Sequence, residues 1–210
     1  MPMANFPMQN LTDITGLAGV ASALAASTLL FPWIKRLTRL HKGMATAAVF
    51  VAALIPFGGL PLAAYVRGAS GDLSITTLVL LWCALLGPWA GCAAADIKHR
   101  LALWVLIVLA ALTLYPMALG IGASDPYRLG YGNWQFVITL LLVALVAWFR
   151  KYYLVALCIA LAALAWAVGW YESGNLWDYL LDPFVSIYAL AAILIQVVNS
   201  LRGRLHKGQS

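Results

Sequence analysis

Arg67, Asp72, Asp125, Arg128, Glu172, Asp178 and Asp182 stand in short polar segments between long apolar runs, and they carry the widest chemical reach in this chain. An arginine fork holds a carboxylate or a phosphate through paired N–H donors. A carboxylate beside such a phosphate activates an acceptor as a general base. Asp178 and Asp182, one helical turn apart, also offer a foothold to a divalent cation or a basic partner, although no further ligands accompany them and no metal is assigned. Plainer roles compete at each position. Asp13, Asp72, Asn133 and Asp182 each precede an apolar run, where a side-chain oxygen accepts a free N–H of the helix start, and Pro183 suits a first helical position. Asp125, within Ser124-Asp-Pro-Tyr127, suits a local Asx turn. Leu176, Trp177, Leu180 and Leu181 fall on one side of a helix and Asp178 with Asp182 on the other, which predicts a short interfacial helix.

Several reaction classes are excluded by what is absent. Gly68-Ala-Ser-Gly71 imitates the serine motif of an intramembrane protease, but a serine nucleophile needs a base, and His41, His99 and His206 all lie towards the opposite side of the membrane. Gly130-Tyr-Gly-Asn133 imitates an aspartic intramembrane motif with Asn in place of Asp. Its only candidate partner, Asp96, falls on the opposite side, whereas a proton-sharing dyad needs about 3 Å. Haem would need paired imidazoles at membrane depth, and retinal a lysine in the last helix; neither is present. Cys83, Cys92 and Cys158 read as packing residues. No cofactor is expected.

The elements that must position these residues follow from composition. Of 210 residues, 64% are apolar and 10% charged, and the mean hydropathy is +0.90. Those values belong to an integral membrane protein. A helix needs about 20 apolar residues to cross a bilayer. Seven uncharged runs approach or exceed this length: Ile14–Ile34, Met44–Val66, Leu73–Ala95, Leu101–Ile121, Trp134–Phe149, Tyr152–Trp170 and Pro183–Leu201. They lack the alternation of membrane strands, so the expected fold is an all-α bundle of seven transmembrane helices forming one domain over residues 1–210. Ile55-Pro-Phe-Gly-Gly-Leu-Pro61 should kink or break the second helix, because two prolines remove donors beside two glycines. Gly87, Gly91 and Ala95 give the third helix a smooth face for close approach.

Eleven of the thirteen basic residues fall on one side of this arrangement, leaving Arg67 and Arg128 on the other with every carboxylate except Asp96. The positive-inside rule then places the N-terminus outside and the C-terminus in the cytoplasm. The compact loops suit a bacterial inner membrane. Basic charge on the inner rim suits anionic lipid and gives no reason to expect nucleic acid. Tyr127, Tyr131, Trp134, Trp170, Tyr171, Trp177 and Tyr179 crowd the outer layer as an aromatic belt.

Three functions fit these features. A non-catalytic subunit or assembly factor would meet a membrane or periplasmic protein partner through the acidic, aromatic outer face. A carrier or flippase for a lipid or neutral solute would use the broken second helix. A lipid-modifying transferase would hold phosphate with Arg67 and Arg128 and activate an acceptor with one of Asp72, Asp125, Glu172 or Asp178. The lack of cofactor ligands and of intramembrane charge favours the first.

Overall fold

The apolar runs become helices in a computed structural model that describes residues 6–29, 31–90, 97–122 and 124–207. Among the described residues ten helices follow one another: α1 (Phe6–Thr28), α2 (Pro32–Lys35), α3 (Arg39–Leu54), α4 (Leu62–Ser70), α5 (Ile75–Ala90), α6 (Ile97–Ala118), α7 (Trp134–Phe149), α8 (Tyr153–Ala167), α9 (Leu176–Leu180) and α10 (Pro183–Lys207). A 3-10 turn, Pro126–Gly130, lies between α6 and α7. The all-α expectation holds. Ile97–Ala118 and Pro183–Arg202 are long and apolar enough to cross a membrane, while Ile75–Leu86, Trp134–Phe149 and Tyr153–Ala167 are apolar but shorter.

The second run is broken, as its prolines require. Between α3 and α4 the chain forms a two-stranded hairpin, β1 (Pro56–Phe57) against β2 (Leu60–Pro61), with Pro56 opposite Pro61. Gly58 and Gly59 make its turn with φ of +67° and +106°, values that side chains disfavour. The strand pairing returns the chain to its point of departure, so the break is a hairpin instead of a kink. Phe57 at its tip is 85% exposed.

Two apolar cores result. Val20, Ala21, Ala53 and Ala63 form a small one where α1 meets α3 and α4. A larger one gathers α5 to α10 around Leu103, Trp104, Ile107, Val155, Ile159, Leu176 and Tyr179. Contact between α1 and α5 joins the halves. Outward faces are apolar as well: Leu112, Val146, Phe149, Leu164, Ile187 and Ile195 are all exposed. Asp96, Cys92 and the Gly91 and Ala95 positions of the expected smooth face lie outside the described residues.

Candidate functional site

The connections α4–α5, α6–α7 and α8–α10 meet at one end of the bundle, together with the early part of α1. Arg67, near the end of α4, is the first organiser of this end. Its Nε donates to Asp72 Oδ1 at 2.6 Å and Nη2 to Asp72 Oδ2 at 3.1 Å, a bidentate fork, while Nη1 donates to Asp13 Oδ1 at 2.9 Å. The Asp72 carboxylate and then Asp13 hold the guanidinium pKa above its ordinary value, against an opposing effect of burial. Gly16 makes room for this cluster, since a Cβ there would fall on Arg67 and Asp72 side-chain atoms.

Two expected caps are therefore corrected. Asp13 lies inside α1, which begins at Phe6, and caps nothing. Asp72 is drawn to Arg67, and the start of α5 is capped by Ser74, whose Oγ accepts the Thr77 N–H at 3.2 Å. Asn133 and Asp125 do cap as expected. Asn133 accepts the Phe136 N–H at 3.1 Å, and Asp125 accepts the Tyr127 N–H at 3.0 Å.

Asp182 is the second organiser. It is only 5% exposed. One oxygen accepts the Val185 N–H at 2.8 Å, capping α10 ahead of Pro183. The other accepts the Ser74 N–H at 2.8 Å and the Thr77 hydroxyl at 2.5 Å, so it serves the start of α5 as well. Two helix N-termini thus converge on one carboxylate, and their partial positive charges, about half a unit each, oppose its negative charge.

Asp178 is the third. Tyr127 Oη donates towards both its oxygens at 3.1 Å and Ser173 Oγ donates at 2.5 Å. Burial, followed by the Asp178 charge, pushes the Tyr127 hydroxyl pKa up, so this donor keeps its proton. The expected interfacial helix exists as α9, but its acidic side is enclosed along with its apolar side, where Leu176 and Leu181 are buried. Asp182 is buried, Asp178 is half-buried, and Tyr179 has no exposed surface, because the bundle end closes over them.

The loop between α8 and α10 is tied by Asn175, which the sequence did not single out, and by aromatic residues expected only as a belt. Asn175, fully buried, donates from Nδ2 to the Tyr127 carbonyl at 3.0 Å and caps α9 by accepting the Trp177 N–H at 3.0 Å. Trp177 Nε1 donates to the Pro126 carbonyl at 3.0 Å. The Tyr171 hydroxyl donates to the Leu73 carbonyl at 2.8 Å, and the Tyr171 N–H donates to Tyr179 Oη at 3.0 Å. Desolvation raises the hydroxyl pKa of both tyrosines. Gly130 is required because a Cβ there would overlap the Asn175 side chain. The expected aromatic belt therefore divides: Tyr131 and Trp134 are exposed, while Tyr171 and Tyr179 are structural and buried.

No protein-family model, curated protein or solved structure matches this chain. What the site can do is thus read from its geometry. Of the seven charged residues singled out, Arg67 and Asp72 are joined, Asp178 and Asp182 line a common cavity with Asp72, and Asp125 serves its own turn. Arg128 and Glu172 are exposed and form no ion pair among the described residues. Glu172 joins Asp13, Arg67 and Asp72 around a second cavity of about 510 Å³ between α1, β2 and α4. No three His, Cys, Asp or Glu residues are grouped to hold a metal ion among the described residues.

Proposed function

We propose that the chain is a bacterial inner-membrane protein of seven spans, with its N-terminus and the acidic, aromatic end in the periplasm, and that it serves as a non-catalytic subunit or assembly factor of a membrane complex. One observation carries this reading: Arg67, Asp72, Asp178 and Asp182 at that end are each engaged by contacts within the chain. Arg67 is closed on Asp72 and Asp13, so its fork is not offered to a phosphate. Asp178 and Asp182 are engaged by several internal donors each, which suits a rigid scaffold more than a general base. Apolar side chains exposed all round the helices support burial in lipid, where a helix gains nothing from a polar face. The protruding hairpin, with Phe57, Ile55, Leu60 and Tyr65 exposed together, supports a lateral contact with another membrane protein.

The test is purification in mild detergent at native expression level, with mass spectrometry of what remains bound. A stoichiometric membrane or periplasmic protein, lost on Phe57→Asp while the chain still inserts, is the expected result. A chain that runs alone under those conditions overturns the reading. The carrier alternative draws support from the second cavity, which opens beside the broken helix at Leu60 and Pro61. Substrate-dependent protection of cysteines placed around Pro56–Pro61 would favour it. The transferase alternative has no comparable support, because it needs Arg67 unpaired.

A further inference from the structure

The three carboxylates that line the first cavity differ in what opposes their charge. Asp72 has the Arg67 fork, and Asp182 has two helix N-termini. Asp178 has only the neutral hydroxyls of Tyr127 and Ser173, and no Lys, Arg or His pairs with it among the described residues. Hydroxyl donors stabilise a carboxylate without cancelling its charge, and a half-buried carboxylate without a counter-ion attracts a cation. The cavity beside it holds about 320 Å³, at the small end of the roughly 300–1,000 Å³ range of ligand sites. It is lined by four aromatic residues, Tyr115, Tyr127, Tyr171 and Trp177, with the aliphatic Leu114 and Leu181. Aromatic faces attract cations through their quadrupole, and they tolerate methyl and methylene groups that a hydrated inorganic ion lacks.

We propose that this cavity binds a compact organic ammonium group, seated against Asp178 with Tyr115, Tyr127 and Trp177 as its aromatic wall. The ammonium takes the Asp178 lone pairs that Tyr127 and Ser173 leave free, and its carbon substituents meet the rings. The site lies at the bundle end, where two sources carry this chemistry: a lipid headgroup of the ethanolamine or choline type, and a free amine in solution. It is independent of whether the chain works as a subunit.

The experiment uses the full chain. One arm measures equilibrium binding of labelled choline and of labelled ethanolamine to the protein in detergent. The other reconstitutes it in phosphatidylglycerol vesicles containing a minority of phosphatidylethanolamine or phosphatidylcholine and reads retained lipid by native mass spectrometry. Saturable binding of the free amine, weakened about tenfold or more by Asp178→Asn, supports a site for soluble amines. Retention of phosphatidylethanolamine or phosphatidylcholine over phosphatidylglycerol, lost in Asp178→Asn, supports a headgroup site. Asp13→Asn, at the same end but beside the other cavity, should change neither reading. If Asp178→Asn does not fold, Tyr115→Leu removes one wall and should weaken either signal severalfold. Absence of any ammonium preference in both arms, or signals unmoved by the variants, overturns the proposal.

Discussion

Asp72 and Asp182 face one cavity from the two halves of the molecule, and opposite devices hold them. In the half built from α1, α3 and α4, the core is a few small side chains, and the bundle end is fastened by the Arg67 ion pairs with Asp72 and Asp13. Water reaches that cluster, since the Asp13 side chain is 54% exposed. In the half built from α5 to α10, the core is extensive, and Asp182 is fastened by backbone N–H groups and a hydroxyl, with no cation paired to it among the described residues. The difference is one of tolerance. An ion pair within reach of water adjusts to a displaced partner and weakens in salt, whereas fixed backbone donors ignore salt and forgive no change of shape.

The largest expected effect tests the second device. Asp182→Ala strands the Ser74 and Val185 N–H groups and the Thr77 hydroxyl in a buried place, and each abandoned buried donor costs about 1–3 kcal/mol. A total loss of about 3–5 kcal/mol is expected, comparable to breaking a buried charge network, read as denaturant or thermal melting of the purified protein. A loss below about 1 kcal/mol would mean that water replaces Asp182, and the contrast between the halves would fall.

A matched pair of glycines sharpens the contrast. Gly130→Ala drives a Cβ into Asn175, which is fully buried and bound at both ends, so overpacking of about 1–3 kcal/mol is expected. Gly16→Ala meets a less severe overlap, 2.3 Å against 1.7 Å at the nearest atom, and with the ends of the Arg67 and Asp72 side chains, which are partly exposed. Alanine also favours the α1 helix, by about 1 kcal/mol over glycine. Its net cost should therefore stay below that of Gly130→Ala in the same melting assay, and the reverse order would contradict the tolerance argued above.

These glycines also show where the sequence was legible. Apolar run length located some helices closely and others not: Trp134–Phe149 is α7 as expected and Pro183 opens α10, whereas the run Ile14–Ile34 falls across α1, which begins at Phe6 and ends at Thr28, and the separate α2. The break at Pro56–Pro61 followed from missing donors, though nothing in the residues distinguished a hairpin from a kink. Caps beside a proline or in an Asx turn, Asp182 and Asp125, were legible because they act on adjacent residues. Asp72 was misjudged because its partner Arg67, though close in sequence, competes with the helix start, and Ser74 takes the cap instead. Gly130 and Gly16 gave no local signal, since their roles arise only when segments far apart in the chain meet, and Asn175, though its cap on Trp177 is local, gave none for its bond to the Tyr127 carbonyl. The Tyr171 and Tyr179 pair was hidden for a further reason: an aromatic residue near a membrane boundary reads as a belt residue whether it points outwards or inwards.

A smaller effect appears at high pH. Burial and the Asp178 charge raise the Tyr127 hydroxyl pKa, and burial raises that of Tyr171. The folded chain keeps these protons while the unfolded chain loses them near pH 10, so the unfolded state binds fewer protons above that pH. Stability should be unaffected by these groups below about pH 10 and decline above it. Tyr127→Phe should flatten that decline while costing about 1 kcal/mol at neutral pH for the lost bond to Asp178. Melting followed across this pH range checks both signs; a decline equally steep in the variant would assign it elsewhere.

The smallest expected effect isolates the first device. Asp13→Asn removes the charge from the exposed arm of the Arg67 cluster but leaves the bidentate fork to Asp72, so the cost at low salt should be under about 1 kcal/mol. In about 1 M salt the screening length falls to about 3 Å, and the difference between Asp13→Asn and the native chain should vanish. The loss caused by Asp182→Ala should persist unchanged under the same conditions, because its partners carry no net charge. Arg67→Met should reverse the sign of the salt dependence, because it leaves the Asp13 and Asp72 carboxylates to repel each other and salt screens that repulsion. If Asp13→Asn costs as much at high salt as at low, then water does not screen the Arg67 cluster. The two halves would then hold their carboxylates by the same rigid means.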